Sequence, residues 1–207
     1  MHNSSKGTLE VICGSMFSGK SEELIRRIRR VEFAQVPVQV FKHSLDNRKT
    51  VEHINAHNGN NYPALAAENA AMIRSFLTPD SSVIAIDEIQ FFDNSVVDLC
   101  LELVADHKRI IVAGLDLDFR GVPFGFMPAL LSLADKVTKL KAICNSCGND
   151  AHYTQRLVSG QPADFDDPLI LIGAQDCYQA RCRSCFKITY NKKNGHQKIC
   201  YQDQKGA

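Results

Sequence analysis

A chain of 207 residues can bury roughly 70 % of its unfolded surface, enough for a self-sufficient core. Hydrophobic residues at 44 % and charged residues at 23 % exclude a mostly disordered, collagenous or membrane-embedded chain. Lys and Arg number 24 against 23 Asp and Glu, so the net charge of +1 lacks the excess of a dedicated polyanion binder, and no nucleic-acid partner is expected. No apolar run approaches the ~18 residues of a membrane span, and the start Met1-His2-Asn3-Ser4-Ser5-Lys6-Gly7 has no signal-peptide core. A cytoplasmic protein with no membrane partner is therefore expected.

Short apolar runs alternate with helical periodicity, the pattern of an α/β fold with a mostly parallel sheet. The first strand is predicted over 9–13. It leads directly into Gly14-Ser15-Met16-Phe17-Ser18-Gly19-Lys20-Ser21, which fits the P-loop pattern and opens a predicted helix over 21–35. The glycines free the backbone so that successive N–H groups can turn round a phosphate at a helix N-terminus. Lys20 suits the β- and γ-phosphates of ATP, and the Ser21 hydroxyl suits Mg²⁺. In the helix, Leu24, Ile25, Ile28 and Val31 form the buried stripe, with Arg26, Arg27, Arg29 and Arg30 on an opposite, solvated face. A strand is predicted over 36–41. The polar stretch 46–61, with the turn signal Asn58-Gly59-Asn60-Asn61, reads as a mobile loop. His53 and His57 stand four apart in it, but neither a helix signal nor a third ligand accompanies them. A second helix is predicted over 68–77.

Val83-Ile84-Ala85-Ile86 then ends in Asp87-Glu88, two carboxylates at the C-terminal edge of an apolar strand, where open α/β sheets bind ligands. This is a Walker-B arrangement: Asp87 suits the Mg²⁺ sphere, and Glu88 could take a proton from the group that attacks the γ-phosphate. Such an acid activates water as readily as an alcohol, so ATPase and kinase are not separated here. A signalling GTPase is disfavoured, because no Asn-Lys-x-Asp follows and Asn191-Lys192-Lys193-Asn194 lacks the acid. A helix over 94–107 and strands over 110–115 and 137–143 complete the core. The runs 83–86 and 110–113 are apolar on successive residues, as in central strands covered on both faces.

Of the eight cysteines, Cys144 with Cys147 and Cys182 with Cys185 form two Cys-x-x-Cys pairs separated by 34 residues. A reducing compartment favours metal binding over disulfides, and four thiolates suffice for a closed, structural Zn²⁺ site. Cys13, Cys100, Cys177 and Cys200 read as small, inert residues. The metal would close the excursion 148–181, a partly apolar loop suited to act as a lid that excludes water. A zinc appendage on a P-loop core also suits an ATPase that docks on nucleic acid, which is the rival reading. The predicted organisation is a P-loop domain over 1–140, a zinc-binding domain over 141–190 and a flexible tail over 191–207. The lysine-rich end, from 187 on, reads as frayed.

Together these residues resemble the zinc-containing thymidine kinase family of bacteria and the animal cytosol. The resemblance runs from about Val11 to Cys185. It rests on the Gly14 to Ser21 loop, Asp87-Glu88-Ile89-Gln90-Phe91-Phe92, Leu115-Asp116 with Phe119 and Pro123-Phe124-Gly125, Tyr153-Thr154-Gln155-Arg156-Leu157 and both cysteine pairs. It implies a P-loop NTPase core with a small zinc-binding lasso domain, and transfer of the ATP γ-phosphate to the 5′-hydroxyl of thymidine. Mg²⁺, structural Zn²⁺, a homotetramer and feedback by thymidine triphosphate are implied with it. Glu88 matches the family's general base, and Asp87, Gln90 and Arg48 fall with the P-loop on the ATP and magnesium side. Met16, Phe91, Leu115, Phe119, Phe124, Thr154 and Tyr178 match the nucleoside pocket, which main-chain groups around Leu169, Ile170, Leu171, Ile172 and Gly173 would close. Leu117 and Asp118 lie in a variable stretch and are assigned nothing. The residues by themselves point to ATP, Mg²⁺ and zinc, whereas thymidine rests on the resemblance.

Overall fold

Side chains alternate across a strand, so an apolar run buried on both faces must feed two separate cores. A computed structural model, which describes residues 6–44, 51–55, 59, 61–169 and 178–190, divides the central runs in this way. In β5 (Val83–Asp87), Ile84 and Ile86 enter one core and Val83 and Ala85 the other; in β6 (Arg109–Gly114), Ile110 and Val112 part from Ile111 and Ala113 in the same way. With β1 (Thr8–Cys13), β2 (Val38–His43), β3 (Val51–Asn55), β4 (Asn61–Ala67) and β7 (Lys136–Lys139), they form a seven-stranded sheet in the order β3-β4-β2-β5-β6-β1-β7. Every pairing is parallel except that of β3 with β4.

Helix α1 (Lys20–Phe33) covers one face through Leu24, Ile25, Ile28 and Val31. The other face is covered by α2 (Ala70–Phe76), α3 (Ser95–Ala105) and α4 (Met127–Leu133), which contribute Ile73, Leu99, Leu103 and Leu130. Each fully buried Ile or Leu stabilises the fold by about 1.5–3 kcal/mol before its entropy cost is counted. The α/β expectation holds: a mostly parallel sheet lies between helices, and the C-terminal ends of β1, β5 and β6 lie side by side.

Several expectations are corrected. The stretch 46–61 is not simply a loop, since β3 runs through it and pairs antiparallel with β4. Within β4, Pro63 pairs with His53, two residues before pairing with β2 begins at Leu65, so the missing N–H falls where β2 does not need it. The strand expected over 137–143 is broken. Leu140 N donates to Cys13 O, and the chain resumes as β8 (Ala142–Ile143), paired with β9 (Asp150–Ala151) in another sheet. Arg27 does not share the solvated face. It is 5 % exposed and bonds Glu10 at 2.6 Å, Glu23 at 2.8 Å and Thr138 Oγ1 at 2.8 Å.

Beyond β9, strand β10 (Tyr153–Val158) pairs antiparallel with β11 (Gln161–Pro162) and with β12 (Tyr178–Arg181). The end of the chain is tied down at first: Lys187 N donates to Gln155 Oε1 at 2.8 Å, and Thr189 bridges Asp164. The tail over 191–207 lies outside the described residues, as do His57, Cys177 and Cys200.

Candidate active site

The segment between β1 and α1 closes on itself. Ser18 Oγ and Lys20 Nζ both donate to Ser15 O at 2.8 Å, and Gly19 caps α1 in the left-handed region at φ 82°. Gly14 adopts φ 147°, and a Cβ there would meet Leu140 O at 2.5 Å and Ser18 Oγ at 2.8 Å, so only glycine leaves room for the turn. The buried Ser15 hydroxyl has no hydrogen-bond partner, a donor available to an anion in the loop. Burial lowers the Lys20 pKa, while the charges of Glu88, Asp87 and Asp116 oppose the shift.

At the end of β5, Asp87 is buried and its Oδ2 accepts from Ser21 Oγ at 3.3 Å. Burial first, and then the neighbouring Glu88 charge, push the Asp87 carboxyl well above the usual carboxylate range. An oxygen-rich pair held this close fits a hard divalent cation, whose charge would offset that penalty. Glu88 takes a left-handed conformation, φ 53° and ψ 39°, which turns the chain abruptly into the 3₁₀ turn Ile89–Phe91. Its side chain is half-buried rather than enclosed, and its Oε2 accepts from Gln90 Nε2 at 2.7 Å.

The residues matched to the nucleoside pocket lie on the loops beyond these strand ends and on β10 and β12. Phe91 and Phe124 meet edge to face at 5.9 Å, and half-buried Leu115 follows β6. Phe119 lies under the guanidinium of Arg156, 3.7 Å from the ring centroid. Thr154 Oγ1 accepts from Met16 N at 3.0 Å, which joins β10 to the Gly14–Ser21 loop. Tyr178 stands at the start of β12 opposite Arg156, and Leu169 is exposed. Arg48, Ile170, Leu171, Ile172 and Gly173 lie outside the described residues.

Some residues around the site have no role assigned from the sequence. Asp118, unassigned at first, is 2 % exposed and organises the turn after β6, accepting from Arg120 N at 2.8 Å, Val122 N at 3.2 Å and the Arg120 side chain. Buried Asp116 pairs with Lys139 at 2.7 Å. Arg156 is fully buried and donates to Pro168 O. The available signal for Arg156 was a charged residue inside the otherwise uncharged strand β10.

The four sulfur atoms of Cys144, Cys147, Cys182 and Cys185 all lie within 4.8 Å of one another, and those of Cys147 and Cys182 are 3.6 Å apart. A tetrahedron with ~2.3 Å metal–sulfur arms has edges of about 3.8 Å, so the set fits one Zn²⁺. Two matching knuckles build it: Gly148 N donates to Cys144 O and Phe186 N to Cys182 O, both at 2.9 Å. Burial would raise the Cys144 thiol, but backbone N–H groups of Cys182, Ser146 and Cys147 outweigh it and bring it down to about 6. By contrast, burial pushes Cys13 up to about 11 and Cys100 up to about 12, which suits inert thiols.

Fold and site together define a P-loop α/β protein with a four-cysteine appendage able to hold zinc. A family model described as thymidine kinase matches residues 7–186, most of the chain, and the protein belongs to the thymidine kinase family.

Proposed function

We propose that the protein transfers the γ-phosphate of ATP to the 5′-hydroxyl of thymidine. The observation that carries this reading is the thymidine kinase family match over residues 7–186, and the convergence of the Gly14–Ser21 loop, the Ser21–Asp87 pair and Glu88 at one sheet edge supports it. In this mechanism the N–H groups of the loop and the Ser15 hydroxyl hold the phosphates, and Lys20 exchanges its bond to Ser15 O for the β- and γ-phosphate oxygens. Ser21 and Asp87 would hold Mg²⁺, which when bound neutralises phosphate charge. Glu88 accepts the proton of the 5′-hydroxyl as its oxygen bonds to the γ-phosphorus, and the bond to the bridging oxygen breaks to release ADP. Arg48 belongs to the ATP side of this scheme. Met16, Phe91, Leu115, Phe119, Phe124, Thr154 and Tyr178, with Leu169 to Gly173, form the nucleoside side. Cys144, Cys147, Cys182 and Cys185 bind Zn²⁺; four thiolates leave no open position, so the metal's role is structural.

The reading carries with it a P-loop domain over 1–140, a zinc domain over 141–190, a cytoplasmic homotetramer and thymidine triphosphate as inhibitor. ATP consumption measured across a panel of nucleosides tests the substrate: stimulation by thymidine is expected, and stimulation by DNA or RNA instead would favour the ATPase reading. Glu88→Gln keeps shape and removes the base, so kcat should fall about 10²- to 10⁴-fold while ATP still binds. Near-normal turnover would remove Glu88 from the mechanism.

A further inference from the structure

The side-chain amide of Gln90 is held by two groups of fixed polarity. Its Oε1 accepts from Leu115 N at 3.0 Å, and its Nε2 donates to Glu88 Oε2 at 2.7 Å. A backbone N–H can only donate, so the amide oxygen must face Leu115 and the NH₂ must face Glu88; a flipped amide would lose both bonds. Gln90 is 5 % exposed, so neither end has water as a substitute. The backbone makes room for the contact: a Cβ on Gly114 would sit 2.5 Å from Gln90 Oε1 and 2.8 Å from Ile89 Cγ2. Gly114 closes β6, and Glu88 follows β5, so the amide links the ends of two neighbouring strands.

We infer that Gln90 is the positioning residue for Glu88, rather than a ligand of ATP or magnesium. A glutamate side chain on a left-handed turn has three torsions to fix, and the bond from Nε2 fixes one carboxylate oxygen. The lone pairs of Oε1 are then the ones free to meet a substrate hydroxyl. Gln90 itself neither touches the reacting atoms nor moves a proton.

The inference rests on Glu88 acting as the base, and a double-mutant cycle separates the two. Gln90→Met keeps length and volume and removes both hydrogen bonds. It should lower kcat by about 10- to 100-fold, with KM for ATP and for thymidine changed little. Introduced into Glu88→Gln, which has no base to position, the same change should cost less than about threefold. Gln90→Asn keeps a polar amide but is one methylene too short to span Leu115 N and Glu88, so it serves if Gln90→Met does not fold, with the same split expected. An equal loss in both backgrounds, or unchanged kcat in Gln90→Met beside a slow Glu88→Gln, would overturn the positioning role alone. A fast Glu88→Gln would instead remove the base assignment beneath it.

Discussion

Glu10 accepts from Arg27 at 2.6 Å through one carboxylate oxygen and from Arg109 at 2.7 Å through the other, beneath α1 and beside β7. Burial would raise its pKa, but Arg109, Arg27 and Lys136 outweigh it and hold the carboxyl below its ordinary value. A depressed folded-state pKa stabilises the protein above the unfolded value, ~4.3, and that stability is lost as pH falls through the folded one. Glu10→Gln should therefore cost about 1.5–3 kcal/mol near neutral pH, the range for hydrogen bonds to charged groups. The loss stays short of the ~3–5 kcal/mol of an orphaned buried charge, because Arg27 keeps Glu23 and Thr138. Urea titrations at pH 7, 5, 4 and 3 should show the gap to the wild type closing below about pH 4.5. A gap independent of pH would mean that the pair does not contribute through charge. Helical periodicity set Arg27 among the other arginines, because a period reports which face a residue occupies and not whether that face has a partner. Glu23 lies on the helix itself, but Glu10 and Thr138 are supplied by β1 and β7, outside it.

The elements read most easily were those whose pattern matches their burial. The central strands, buried on both faces, and α1, with one apolar stripe, were legible in outline, with shifts of a few residues at their ends. β3, β4 and α4 were not. β3 is predominantly polar in sequence, and Ile54 enters the core. β4 contains Pro63, and α4 is seven residues long with a proline in its first turn. Each depends on packing against the sheet more than on its own propensity. β10 is a further case, since its functional consequence lies in a cross-element bond. Thr154 Oγ1 holds Met16 N at 3.0 Å, although the sequence match put Thr154 beside the nucleoside. Thr154→Val keeps the shape and leaves that N–H unpaired, a cost of about 1–3 kcal/mol borne by the phosphate-binding loop. The expected outcome is a rise in KM for ATP at least as large as that for thymidine. A change confined to thymidine would show that Thr154 acts on the nucleoside directly.

At the scale of the whole molecule, the P-loop core and the four-cysteine appendage are joined at their most constrained points. Leu140 N bonds Cys13 O at 2.8 Å where the chain leaves the sheet, and Gly121 packs against Tyr153 and Phe186. Tyr153 and Phe186 stack at 4.6 Å, and Arg156 covers Phe119. The cysteine cluster brings the knuckle at 144–147 to the one that follows β12, and β12 pairs with β10 along its length. Metal bound there would fix β12 and, through it, the face of β10 that carries Thr154 and Arg156. The loop from Gly14 to Ser21 instead lies between β1 and α1, elements of the seven-stranded sheet and its cover. Replacing Cys182 and Cys185 with Ser should therefore release zinc, lower Tm and weaken thymidine binding at least about tenfold, or ~1.4 kcal/mol. ATP binding should fall much less, because among the described residues the loop meets the appendage through the Thr154–Met16 bond and the Leu140–Cys13 junction, neither of which contains a cluster cysteine. Metal content, ATP affinity and thymidine affinity should be measured separately on the double variant and on wild-type protein stripped with a chelator. Metal-free protein that binds thymidine with undiminished affinity would show that β10 and β12 hold the nucleoside side without the clasp, and would leave the four thiols a role in stability alone.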